Sequence, residues 1–400
     1  MIFWVGQFVS LIGTWMQNTT QPYLAYRLSG KPFDLGLIGF AGALPTLLLA
    51  LPGGVLVERL DKRKTVIAMQ VVMMLQAFAL AFLALTGIIQ IWHIALLAFL
   101  MGTVSAIEIT ARQAMLIELV GKDSLPNAIA LQSTIFNAAR VIGPSLVAPF
   151  LIFIKGSGEG WAFLANGVSY MVIIVSLLFV ITPFKTELPN LSRNWLAEFR
   201  EGQAYIRATR SVAMIILMAT VFGFVGFPLL QQIPVIARDV LQQVGDTQAS
   251  SAARNSALYT AQGIGALVAA LSLASFNPRH KGWLMTAGQI VFVAGLLIIA
   301  FTHQVPLALI LFVLIGWGSV TTLATMNTLI QLQVPDNLRG RVFSTYLWGL
   351  QGIAPFGSLL VGWMAQTWGV SITALICGLF CLVVIGGIHL ANPEIKNIQV

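Results

Sequence analysis

Apolar stretches of ~20 residues, the length needed to cross a bilayer, follow one another along the whole chain, and charges collect in the short stretches between them. Runs and breakers place helices near 2–28, 35–57, 65–88, 91–111, 128–154, 160–183, 212–237, 254–276, 282–302, 305–328, 340–367 and 370–390. The pattern reads as an all-α polytopic membrane protein with twelve transmembrane helices. A polar remnant from Arg238 to Ala253 could hold a short interfacial helix.

The longest connection, Lys185 to Arg210, divides the pattern in two. The expected parts are an N-terminal six-helix bundle (1–184), a linker (185–211), a C-terminal six-helix bundle (212–391) and a tail (392–400). Within the linker Trp195, Leu196, Phe199, Gly202 and Ile206 recur at helical spacing, with Glu198, Arg200, Glu201 and Arg207 on the other sides, which predicts an amphipathic helix on the membrane surface. The halves repeat: Leu116-Ile117-Glu118-Leu119 with Asp123-Ser124-Leu125 aligns with Leu329-Ile330-Gln331-Leu332 and Asp336-Asn337-Leu338 at an offset of 213 residues.

Composition agrees, since 58% apolar and 9% charged residues do not suit a soluble protein. The net charge of +8 could suggest nucleic acid, but no basic stripe with interleaved aromatics exists. Orientation explains the cations better. With both termini inside, the inner loops hold 16 of the 22 Lys and Arg, the outer side holds five, and Arg140 lies within a span. The first run continues into Tyr26-Arg27 without a cleavage site and reads as a span, not a signal peptide.

The candidate chemistry is sparse. Cys377 and Cys381 are one helical turn apart in an apolar run, and His93, His280, His303 and His389 are scattered, so neither metal nor disulfide is expected. No cofactor is expected either: Gly121-Lys122-Asp123 lacks the upstream Gly and the Ser or Thr of a phosphate-binding loop. No nucleophile, acid/base pair or metal cluster suggests an enzyme.

Arg140 is the boldest residue. A fifth helix starting near Ala128 carries it ~18 Å into the membrane, where a charge must face the bundle interior, water or a partner. The alternative is a structural Arg bonded to helix carbonyls. Glu108 is a carboxylate within a span, one turn before Arg112 and ~6 Å from the inner edge. The depth difference of ~12 Å permits direct pairing with Arg140 only if the fourth helix extends further inward. Arg keeps its proton, whereas a desolvated carboxylate can titrate near working pH, so Glu108 is the better proton carrier. Alternatively, it pairs with Arg112 or the nearby basic loop. Thr321 stands at its repeat position.

The first helix adds a polar stripe, Thr14, Gln17, Asn18 and Gln21, at i, i+3, i+4 and i+7. Cavity lining is favoured over bonding between helices. Ser319, Thr322 and Thr325 form a weaker counterpart, and Gln231 and Gln232 are placed at the outer end of the seventh helix.

Between the second and third runs, Gly54-x-x-x-Glu58-Arg59-x-x-x-Arg63-Lys64 resembles the corresponding loop of the major facilitator superfamily, with Glu58 in place of Asp and Asp61 in place of a second Gly. Transporters of that superfamily use parallel six-helix repeats with a midplane site at their interface. Asn127-Ala128, Leu131, Ser133, Phe136-Asn137, Ala139-Arg140 and Gly143-Pro144 resemble the motif of the bacterial exporter family that includes the enterobactin exporter. So do Pro335-Asp336, Leu338-Arg339-Gly340-Arg341-Val342, Glu201-Gly202 and Tyr205-Ile206. Glu108-Ile109-Thr110-Ala111-Arg112-Gln113 replaces that family's Asp-x-Pro-Ala-Arg-Gln, and Gly143-Pro144 resembles the helix-packing motif of antiporters.

The resemblance implies a proton-coupled exporter of small amphipathic compounds by alternating access. It would act as a monomer in a bacterial inner membrane, with both termini cytoplasmic. Its expected partners are a small-molecule substrate, protons and membrane lipids, and not nucleic acid. The alternatives are export of one endogenous solute, such as a siderophore or lysolipid, or a sensor or enzyme on the same scaffold. Expected substrate- or proton-binding residues are Glu108, Arg140, Asn137, Gln17, Asn18 and Gln21. Expected gating residues are Gly54, Glu58, Arg59, Arg63, Lys64, Arg112, Arg339 and Arg341, with Glu58 latching onto the amino end of the eleventh helix.

Overall fold

The computed structural model describes residues 2–58, 60–154, 156–180, 195–276 and 280–397. The described chain is helical throughout, and ten of its helices are long and apolar enough to cross a membrane. The first helix, Ile2–Ser29, is diluted by its polar stripe, and the eleventh, running from Asp336–Leu347 through Trp348–Gly352 to Ala354–Trp368, is interrupted at Ile353. With these two the crossings number twelve, arranged as two six-helix bundles.

In the N-terminal bundle the second to sixth helices are Pro32–Glu58, Lys62–Leu85, Ile91–Gly121, Asp123–Phe153 and Gly158–Leu178. The linker helix is Trp195–Ala208. The seventh helix is Arg210–Val240, followed by Gln248–Phe276, Lys281–Ile299, Val305–Gln333, the broken eleventh, and Val370–Ala391.

Two boundaries differ from the sequence pattern in ways that matter. The fourth helix continues to Gly121, well past 111, and the fifth starts at Asp123. Gly121 makes the whole turn alone at φ 73, ψ 171, a conformation that only Gly adopts freely. The charges of 112–123 therefore ride on helix ends. At the other face the eighth helix starts at Gln248, so the run 238–253 holds no separate interfacial helix. Thr247 caps this start: its hydroxyl accepts from the Ser250 amide at 3.2 Å while its own amide donates to the Ser250 hydroxyl at 2.8 Å. The first turns are polar yet buried, Arg254, Asn255 and Ser256 among them.

We call the face bearing the 54–64 loop inner and the other outer. Among the described residues, hydrogen bonds cross between the bundles in the outer half: Tyr26 hydroxyl to Asp239, Arg238 and Asn255 to the carbonyls of Tyr26 and Thr19, Gln232 to the Pro32 carbonyl, and Tyr23 to the Gln248 carbonyl. The bundles also touch where the fifth helix meets the eighth. There a Cβ on Gly263 would stand 2.6 Å from the Arg140 carbonyl oxygen, so only Gly permits the approach. On the inner side, exposed positions cluster along 129–136 of the fifth helix. The arrangement is sealed outside and spread inside.

Candidate functional site

The longer fourth helix changes the geometry of the two buried charges. From Gly121 back to Glu108 the rise is ~20 Å and from Asp123 to Arg140 ~26 Å, so their depths differ by only ~6 Å. They nevertheless hold different partners. Glu108, 4% exposed, accepts from Arg112 Nε at 2.9 Å and from Gln70 Nε2 at 3.0 Å. The i, i+4 relation puts Arg112 on the same face of the fourth helix, and the third helix brings Gln70.

Arg140 has no carboxylate within ion-pair distance among the described residues; its guanidinium lies 5.3 Å from the ring centre of Trp15. Phe136, one turn earlier, meets Trp15 edge to face with ring centres 5.5 Å apart. A desolvated cation–π contact contributes ~2 kcal/mol, against several kcal/mol to take a charge out of water. The remainder has to come from water reaching this partly exposed side chain or from an anion. Gly143 makes the contact possible: a Cβ there would lie 2.5 Å from the Trp15 Cβ and 2.8 Å from the Ile12 carbonyl oxygen. Phe136 is marked in the sequence by its place in the exporter-family motif, whereas Trp15 stands out in neither pattern nor motif.

The stripe on the first helix does not stay together. Gln17, expected to line a cavity, is buried inside the N-terminal bundle: it accepts from Asn166 at 2.7 Å and donates to Gln76 at 3.2 Å and Gln21 at 3.3 Å. Thr14 is bonded to the Tyr170 hydroxyl at 3.0 Å. These two are helix-to-helix contacts, because lipid and packed side chains offer amides no other partner. Asn18 is exposed and Gln21 half-buried. Asn137 is buried and donates to the carbonyl of Ser133 on its own helix at 2.9 Å. In the other half Ser319, Thr322 and Thr325 are also buried, so they do not line an open cavity. The Thr322 hydroxyl faces Gly288 of the ninth helix.

Of the expected latch, Arg59, the Glu58 side chain and the surroundings of Gly54 lie outside the described residues. Arg63 donates to the carbonyls of Leu177 and Leu178 at 2.9 and 2.8 Å, capping the end of the sixth helix. Asp61, where the superfamily loop has Gly, caps the third helix by accepting from the Lys64 amide at 2.9 Å. Lys64 is exposed, and Arg339 pairs with Asp336 within its own helix. Arg341 pairs with Glu201 of the linker helix, whose Gln203 and Tyr205 bond Thr345 at 2.9 Å and the Gln333 carbonyl at 3.0 Å. The linker helix is thereby fastened to the C-terminal bundle.

Sequence reasoning missed the outer seal. Arg27 pairs with Glu159 at 3.0 Å inside the N-terminal bundle, and Arg254 with Asp246 inside the C-terminal one. A cavity of 380 Å³ between the bundles is lined by Tyr23, Tyr26, Arg27, Arg238, Asp246 and Ser251, among others. The hydrogen bond from the Arg254 guanidinium, helped by the Gln243 amide, holds the Asp246 carboxyl below the usual carboxylate range. No group of three or more His, Cys, Asp or Glu among the described residues converges on a metal position.

The family described as transmembrane secretion effector matches residues 1–399. The chain is 24% identical to a protein named Multidrug efflux pump Tap from Mycolicibacterium fortuitum, over 94% of this chain and 91% of that one. It is also 24% identical to the Staphyloferrin A transporter of Staphylococcus aureus, over 98% and 96%. Its fold is similar to that of a bacterial homologue of the human lysosomal transporter Spinster, solved inward-facing and unoccupied, with a TM-score of 0.72 at 15% identity, covering 100% of this chain and 98% of that one.

Proposed function

Because the chain belongs to the transmembrane secretion effector family of the major facilitator superfamily, and is therefore a multi-pass membrane transporter and not an enzyme, we propose that it exports small amphipathic compounds in exchange for protons. Both termini would face the cytoplasm of a bacterium, and the bundles would rock about a site at their interface. Efflux as the direction draws on Tap's name and on the antiporter-like Gly143-Pro144.

The observation that carries proton coupling is Glu108. It is a carboxylate buried within a span and held by one cation and one amide. Protonation would release Arg112 from its ion pair and leave a neutral acid that Gln70 can still bond. The two protonation states thus favour different local packings, which is what a coupled carrier requires. Arg112 lies one turn nearer the inner end than Glu108, so release of its side chain would open Glu108 toward the side where the bundles are spread.

The test is substrate-induced proton movement in sealed vesicles containing the purified full chain, with lipophilic cations and aromatic carboxylates, for the native protein and Glu108→Gln. Proton flux driven by a substrate and lost in the variant is the expected result. Substrate movement without proton flux, unchanged in Glu108→Gln, would remove the coupling mechanism.

A further inference from the structure

Resting on the transporter reading above, we propose that the substrate carries an anionic group, and that Arg140 docks it beside the edge-to-face pair formed by Trp15 and Phe136. The other buried or half-buried arginines among the described residues are all satisfied by protein acceptors. Arg27, Arg112, Arg254 and Arg341 each reach a carboxylate, and Arg63 reaches two helix carbonyls. Arg140 reaches neither kind of acceptor among the described residues; its one described contact is the face of Trp15. An arginine whose role was structural would spend its fork on carbonyls, as Arg63 and Arg254 do.

Its position is the second observation. The carbonyl of Arg140 is where the eighth helix touches the fifth, so the residue sits on the seam between the bundles. Asn18 identifies the neighbouring surface. It is an exposed polar residue in the middle of a span, which belongs against water and not lipid. Trp15, one turn earlier, shares that face of the first helix. The platform therefore opens on the aqueous side: a guanidinium that offers paired donors, an adjoining aromatic surface made by the two packed rings and an amide one turn away. This set suits an organic anion with a flat apolar body, since a planar fork recognises carboxylates bidentately. A lipophilic cation would meet like charge.

The experiment measures binding of naphthalene-2-carboxylate, its neutral carboxamide and its trimethylammonium counterpart to the purified full chain by equilibrium dialysis. The carboxylate should bind about ten-fold more tightly than either. Arg140→Gln should erase that ranking, while Arg140→Lys should keep the preference for the anion at weaker affinity. The ranking in the native chain tests the proposal even if Arg140→Gln does not fold. Equal binding of the three compounds, no saturable binding of the carboxylate, or a preference that survives Arg140→Gln would overturn it. Vesicle transport separates this proposal from the one it rests on. Movement of the ammonium compound alone, with Glu108-dependent proton flux, keeps the transporter and removes the anion site. Carboxylate binding with no movement of any compound keeps the site and removes the proposed export in exchange for protons.

Discussion

Glu108 supports two groups at once, and the cost of deleting it follows from that. Glu108→Ala would leave Arg112 charged and Gln70 unbonded within a span, a loss of about 3 kcal/mol; Glu108→Gln retains a partner for Gln70 and should lose less. Thermal unfolding in detergent should therefore rank native above Gln above Ala, and equal midpoints for the two variants would mean that Gln70 gains nothing from the substituted amide. Asp246 governs a different variable. Its carboxyl is held below its ordinary pKa of 3.8 by Arg254. The stability it contributes is complete above that value and drains away as pH falls through the depressed one. The native chain should lose stability below ~pH 4 more steeply than Asp246→Asn, which should already be weaker at neutral pH. Parallel pH curves for the two would separate the outer turn from acid sensitivity.

At the level of elements, the turn between the fourth and fifth helices rests on one residue. Gly121 at φ 73, ψ 171 has no neighbour that shares the bend, so Gly121→Ala should cost roughly 1–3 kcal/mol. Because this turn fixes where Glu108 and Arg140 stand relative to each other, the variant should also transport more slowly than its stability loss explains. A variant as stable as the native chain would show that the chain can turn elsewhere. The π-helical turns at Phe222–Gly226 and Trp348–Gly352 mark a second irregular place. The seventh and eleventh helices meet there, with Gly223 against the Leu350 carbonyl, a position suited to bending during rocking.

For the whole molecule the decisive contacts are those between the bundles at the outer face. Each bundle neutralises its own charges there, Arg27 with Glu159 and Arg254 with Asp246, so opening the seal breaks hydrogen bonds rather than those ion pairs. Tyr26→Phe removes the bond to Asp239. A bond to a charged group contributes about 1.5 kcal/mol or more, hence a shift toward outward opening of roughly ten-fold. Spin labels at Lys31 and Val244, both exposed and on opposite bundles, would report it as a longer distance population; the two native cysteines are buried. An unchanged distance distribution would mean that the remaining crossing bonds hold the seal without Tyr26.

The twelve crossings, the two halves and the family were legible in the residues, because apolar length is read directly against bilayer thickness and short motifs keep their spacing. Arg140 and Glu108 were legible as well, since charge inside an apolar run stands out whatever surrounds it. Tertiary structure decided what each polar group touches. Gln17 and Asn18 are adjacent in sequence, yet a rotation of about 100° per residue sends one into a buried network with Asn166 and Gln76 and leaves the other exposed. The polar start of the eighth helix read as part of a separate interfacial segment because its partners, Thr19 and Asp246, lie on another bundle or across a turn. A pattern along one chain records how apolar a position is; which helix arrives opposite it depends on packing between segments hundreds of residues apart.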